Sequence, residues 1–244
     1  MNNKIENRKS KIENSPAFTL VELLVVIAII GVLAGFLFPA LRMVKRQQYL
    51  KVARGEVEYL ATALENYKAN YGAYPPGNQN AIGFYTAPAA NSMMSQLYYE
   101  LSGTTMATNA GGPCFVTLDG SVSINVADVS TAYGVGGFVN CTRGSSAEDG
   151  ASAQNFLSNL SSKQINSSVS NSIVPNTTEL ITSVGGPDDR YQPLGVSRLN
   201  PFRYLYPGVN NPGSYDLWVQ LVINGQTNLI CNWSRQVLIN SPLP

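Results

Sequence analysis

The chain contains no histidine. That absence excludes His-based catalytic triads, imidazole metal sites and imidazole proton shuttles. Cysteine is nearly as scarce: Cys114, Cys141 and Cys231 are too few for a disulfide scaffold. In an oxidising compartment they permit one bridge, with Cys114–Cys141 favoured because both lie in the same central segment. The alternative is three small buried apolar residues, the usual behaviour of free cysteine. Charged residues make up 13% of the chain and sum to +1, so no global field draws it to nucleic acid. Serines and aspartates abound, yet nothing sets a base beside a nucleophile, and no phosphate-binding loop or internal repeat is present. The reading is a non-enzyme without cofactor or metal.

What the chain does have is a long apolar run with an unusual entrance. Ser15-Pro16-Ala17-Phe18-Thr19-Leu20-Val21-Glu22 leads into Leu23–Leu41, 19 residues without a charge. As a helix at about 1.5 Å per residue, that run covers about 28 Å, close to the hydrocarbon core of a bilayer. An ordinary secretory signal would be cut after the run, near Val32-Leu33-Ala34. A plain anchor would keep everything. Neither has a use for Glu22, because an ionisable group inside a membrane costs roughly 2.5–3.5 kcal/mol on insertion scales. Lys4, Arg8, Lys9 and Lys11 precede the run, but Arg42, Lys45, Arg46, Lys51 and Arg54 follow it, so the positive-inside rule gives no orientation.

This entrance resembles the cleavage and methylation segment of type IV prepilins and type II secretion pseudopilins. The resemblance implies removal of a leader, residues 1–17, by a prepilin peptidase that cuts between Ala17 and Phe18. Most of the family has Gly before the cut; Ala17 is the small residue here. It further implies N-methylation of Phe18 and a filament-assembly role for Glu22, whose carboxylate would pair with the terminal amine of a neighbouring subunit. Residues 18–41 then form a transmembrane half-helix that becomes filament core, with Pro39 expected to kink or melt it locally. Without the leader's excess of two positive charges the mature chain carries about −1, so no nucleic acid partner is expected.

Beyond the run the helix continues as an amphipathic half, residues 42–76. Ala53, Val57, Leu60, Leu64, Tyr67 and Tyr71 form one stripe, Gly72 is a natural stop, and Pro75-Pro76-Gly77 forbids continuation. Asn91–Leu101 reads as a short helix capped by Asn91 or Ser92. Asp119-Gly120 within Phe115–Ile124 signals a hairpin, and a short helix is expected around Phe156, Leu157 and Leu160. Leu217–Ile223 and Thr227–Trp233 flank Asn224-Gly225, the strongest short-range hairpin signal, a type I′ turn. The fold class is therefore α+β: a long N-terminal helix packed on a C-terminal antiparallel sheet, with a globular part over 77–244. Residues 15–76 and 199–233 resemble the major pseudopilin of type II secretion, relative to which 78–198 is an insertion. That family carries calcium in an acidic loop between its last strands. Here the loop is Ile223-Asn224-Gly225-Gln226, no acid follows Asp216, and only Asp188, Asp189 and Asp216 remain as distant candidates.

The functional expectation is a structural subunit of a type II secretion pseudopilus or related pilus-like filament. Its partners would be copies of itself, other pseudopilins, the prepilin peptidase and an inner-membrane assembly platform. It would cross the inner membrane once, with its C-terminal domain in the periplasm. The alternative is a minor type IV pilin or pilus subunit acting in adhesion or DNA uptake, with the insertion as its recognition surface. The basic cluster Arg42–Arg54 is expected to meet lipid headgroups or neighbouring subunits.

Overall fold

A computed structural model describes residues 18–78, 95–142, 152–169, 177–184 and 199–241; within these, the side chains at 37–40, 42 and 167–169 are not described. The chain divides into two units, residues 1–45 and 46–244. A single helix, α1 (Leu20–Tyr71), is assigned without a break through Pro39, so the expected local melting there does not occur. It ends at Tyr71, at the stop expected of Gly72 and five residues short of the boundary drawn at 76, because neither Gly72 nor Pro75-Pro76 continues a helix. Gly72 adopts φ 77° and donates its N–H to the Lys68 carbonyl at 2.8 Å, a left-handed closure that other residues adopt with strain.

In the second unit the predicted stripe is the buried face of α1. Leu50, Ala53, Val57, Leu60, Ala63, Leu64 and Tyr67 all enter the main core. The sheet they cover has the order β10-β9-β8-β7, antiparallel throughout, from β7 (Arg203–Leu205), β8 (Asp216–Ile223), β9 (Gln226–Cys231) and β10 (Leu238–Ile239). Alternation along β8 sends Leu217, Val219, Leu221 and Ile223 to that core. Trp218 goes to the other face, in a small cluster with Leu229, Cys231 and Trp233. The β8–β9 turn is of the predicted kind, with φ 53° at Asn224 and 74° at Gly225.

The inserted region builds sheets of its own. β1 (Thr104–Asn109), β2 (Gly112–Thr117) and β3 (Ser123–Asn125) form an antiparallel meander, and β4 (Cys141–Thr142) pairs in parallel with β1. The expected hairpin through Asp119-Gly120 is the β2–β3 connection. β5 (Ile165–Val169) and β6 (Thr177–Leu180) form a separate antiparallel pair. Among the described residues the inserted region's α-helices are α2 (Leu97–Ser102) and α3 (Val126–Tyr133), with one 3-10 turn at Ser162–Gln164. α2 begins later than expected, after Gln96, and the caps proposed at Asn91 and Ser92 lie outside the described residues.

Two expectations fail here for physical reasons. Residues 152–161, with Phe156, Leu157 and Leu160, are not helical, and only a single 3-10 turn follows at Ser162–Gln164. The Phe156 N–H donates to the Leu101 carbonyl at 2.8 Å, and the Asn155 side chain accepts from the Leu157 N–H at 2.7 Å, a local turn that competes with helix. The Cys114–Cys141 bridge does not form either, and all three cysteines are buried thiols. Cys114 on β2 pairs with Ala107 and Cys141 on β4 pairs with Thr104, so strand β1 lies between them. Two strand spacings already amount to roughly 10 Å, beyond the Cα reach of a disulfide.

Candidate functional site

The first turn of α1 is held by the residues that make the sequence unusual. Thr19 precedes the helix, and its hydroxyl oxygen accepts the Glu22 backbone N–H at 3.2 Å. Glu22 answers through Oε2, accepting the Thr19 backbone N–H at 2.9 Å and the Thr19 hydroxyl at 2.7 Å. This reciprocal arrangement is a capping box, which satisfies two of the otherwise orphaned donors at a helix start. The carboxylate also sits at the positive end of the helix dipole. The signal was present in the sequence as Thr19-Leu20-Val21-Glu22, a T-x-x-E pattern before an apolar run. Beside the neighbouring subunit's amine that the resemblance implies, the fold gives Glu22 a partner three residues away in its own chain.

Phe18 is 74% exposed at the head of this turn, and Ala17 lies outside the described residues. Leu20, Val21, Leu23, Leu24, Ile27, Ile30, Leu33 and Phe36 are all exposed, on every side of the helix. A helix apolar all round belongs in a membrane or a larger core, and an exposed apolar surface of this extent marks an interaction site. Among the described residues no helix is long and apolar enough to cross a membrane. Side chains 37–40, inside the Leu23–Leu41 run, are outside that set.

Among the described side chains, the basic residues after the run divide into two groups. Arg46 donates from Nη2 to Asn228 Oδ1 at 2.7 Å. Arg54 donates to the carbonyls of Cys231, Ser234 and Arg235 at 2.7, 3.0 and 3.1 Å. These two arginines tie α1 to β9 and the segment after it, which corrects the expectation that the whole cluster faces lipid or neighbours. Lys45 and Lys51 remain exposed.

Three buried carboxylates escaped the sequence reading. Glu56, on the inner face of α1, accepts from the Thr182 hydroxyl at 2.6 Å and from the backbone and hydroxyl of Ser183. Glu100, fully buried in α2, accepts from the Tyr67 hydroxyl and the backbone N–H groups of Val139 and Asn140 at 2.9–3.0 Å. Burial pushes its pKa up. Glu179 on β6 accepts from the Ser95 N–H at 3.0 Å and the Tyr133 hydroxyl at 3.1 Å, and burial pushes it up to about 8. These groups pin the inserted region to α1 and to itself. Hydrophobic spacing does not reveal them, because each partner is distant in sequence.

Asp216 is fully buried and accepts from the backbone N–H groups of Val209, Asn210 and Asn211 at 2.8–3.0 Å. Its oxygens are thus committed to closing the β7–β8 loop. Asp188 and Asp189 lie outside the described residues, and among the described residues no group of three Cys, Asp or Glu could hold a metal.

A family model matches the entrance to the apolar run. Residues 14–38 match the prokaryotic N-terminal methylation motif. The particular relatives then point one way. The chain is 35% identical to type II secretion system core protein G of Pseudomonas aeruginosa over 74 residues, 30% of this chain and 52% of that protein. It is 33% identical to the protein of the same name from Vibrio cholerae over 78 residues, 32% of this chain and 53% of the relative. For the Escherichia coli protein of that name the figures are 39% over 71 residues, 29% and 49%. The chain thus spans about half the length of the curated relatives it matches. No solved structure matches it significantly.

Proposed function

We propose that this chain is a structural subunit of a type II secretion pseudopilus, made as a prepilin and assembled through its N-terminal helix. The observation that carries the reading is the methylation motif at 14–38 opening straight into an exposed, all-round apolar helix. The likeness to type II secretion system core protein G supports the same assignment. On this reading the prepilin peptidase removes residues 1–17 and Phe18 is N-methylated. Residues 18–41 hold the subunit in the inner membrane, with residues 77–244 in the periplasm. Extraction by an inner-membrane assembly platform then stacks the apolar half-helices, with copies of this chain and other pseudopilins, into a filament core. No catalytic role is assigned.

Within that core Glu22 has a second task. Its carboxylate, already oriented by Thr19, pairs with the cationic amine of Phe18 on a neighbouring subunit, which offsets the cost of carrying either charge in apolar surroundings. Mass spectrometry of protein purified from its native host tests the processing. A mature chain beginning at singly methylated Phe18 is expected; an intact Met1 or a start near Gly35 would overturn the prepilin reading. Ala17→Leu is expected to leave the leader attached, because a branched side chain crowds a site built for small residues.

A further inference from the structure

A cleft of about 380 Å³ opens where α1 ends, lined by Tyr67, Tyr71, Tyr74, Pro76, Val139 and Tyr206, among others. Its walls are largely aromatic: the Tyr74 and Tyr206 rings meet edge to face at 5.6 Å, and Tyr67 and Tyr71 lie 4.7 Å apart. Val139 on its rim is 53% exposed. Aromatic-lined grooves of this kind suit proline-bearing segments, because a polyproline conformation is preformed and loses little entropy on docking.

The segment Ser241-Pro242-Leu243-Pro244 has that chemistry, with two prolines around a leucine and no charged side chain. Its root is fixed at the opposite end of the sheet. Ile239 pairs with Asn228, and the Asn240 N–H donates to the Thr227 carbonyl at 2.9 Å, beside the Asn224-Gly225 turn. The cleft lies past the other end of β8, where Leu205 pairs with Asp216 and leads into Tyr206. α1 runs the same way: Arg46 bonds Asn228 near the root of the segment, whereas beyond the helix end the Pro75 carbonyl accepts the Tyr204 hydroxyl near the cleft. The length of β8 separates the two features by roughly 23 Å. Four residues reach at most about 14 Å, so Ser241–Pro244 cannot fill the cleft of its own molecule.

We propose that Ser241–Pro244 of one copy docks in the tyrosine-lined cleft of the next copy along the helix direction. This is a heterologous contact: a surface at one end of the unit meets a different surface at the other, and repetition without closure yields a filament. The contact rests on the filament reading above and adds to it a specific interface in the globular part.

The test replaces Leu243 with photoreactive benzoylphenylalanine in the full chain, irradiated both in membranes and in assembled filaments. Cross-linked dimers are expected, with the adduct mapping to 71–77, 139 or 206–207 of the second copy. Val139→Asp, which puts a carboxylate on the rim of the cleft at an exposed position, is expected to lower that yield about tenfold or more. Filaments that form while Leu243 links elsewhere, or to nothing, would overturn the contact and leave the filament reading standing. Dimers with the expected linkage in a chain that never polymerises would leave the contact standing and remove the filament reading. Absence of both sinks both.

Discussion

At the scale of single residues, Glu22 joins a role seen in the fold to one proposed for the filament, and two substitutions compared side by side separate them. Its carboxylate closes a capping box with Thr19 and, on the proposed function, meets a neighbour's amine. Gln serves in a capping box as Glu does, whereas Val does not. Glu22→Gln therefore keeps the helix start and removes only the charge. If the charge matters, Glu22→Gln and Glu22→Val both abolish or sharply lower filament yield while membrane insertion stays normal. If only the cap matters, Gln assembles normally and Val alone fails, at a helix-start cost of about 0.5–2 kcal/mol, the usual range for losing a cap. Filament yield and membrane fractionation of the two variants read this out. Glu179 is the second residue with a measurable signature. Its pKa of about 8 in the fold, raised by burial, lies above its unfolded value. The native chain thus holds a proton that the unfolded chain releases, and Glu179 contributes stability fully below the unfolded pKa, which is lost as pH rises through about 8. Melting temperature is expected to fall between about pH 5 and pH 9, and to fall less in Glu179→Gln, measured against the same buffers. Glu100, also raised by burial, acts in the same direction and leaves a residual slope.

At the scale of elements, the β8–β9 hairpin depends on its turn. Gly225 sits at φ 74° with nothing within 4 Å of where a methyl group would stand, so backbone conformation rather than crowding sets the cost of a side chain there. Gly225→Val is expected to destabilise by roughly 1–2 kcal/mol, since a β-branched residue is strained at positive φ. A lowered melting temperature with an unchanged circular dichroism spectrum would show this; no change would mean that the turn has shifted type. The long helix illustrates the other side. Its stripe, its stop at Gly72 and its passage through the apolar run were legible because period and punctuation are local properties. α3 and the β1–β2 hairpin were not read, although Asn109-Ala110-Gly111-Gly112 carries turn residues. The helix expected around Phe156 is absent, because the backbone there bonds to α2 instead.

At the scale of the molecule, the second unit begins at Arg46. Leu50 is buried in its core and Arg46 bonds Asn228. A chain beginning at Arg46 is therefore expected to fold as a soluble α+β unit and to melt higher than one beginning at Lys51, as thermal unfolding of the two would show. Excess calcium against chelator should leave the melting temperature of either unchanged, because the oxygens of Asp216 are already taken up by backbone N–H groups. A fall of several degrees in chelator would point to Asp188 and Asp189. The sequence by itself determined what depends on short-range pattern: the prepilin-type entrance, the helix and its end, the Asn224-Gly225 hairpin and the α+β class. Only the tertiary structure decided how distant pieces meet. It placed Cys114 and Cys141 on either side of β1, buried Glu56, Glu100 and Glu179 against partners across the chain, and took Arg46 and Arg54 into the fold. The physical reason is the same in each case. A hydrogen bond or a strand neighbour is chosen by which surfaces pack together, and residues dozens of positions apart leave no periodic trace of that choice.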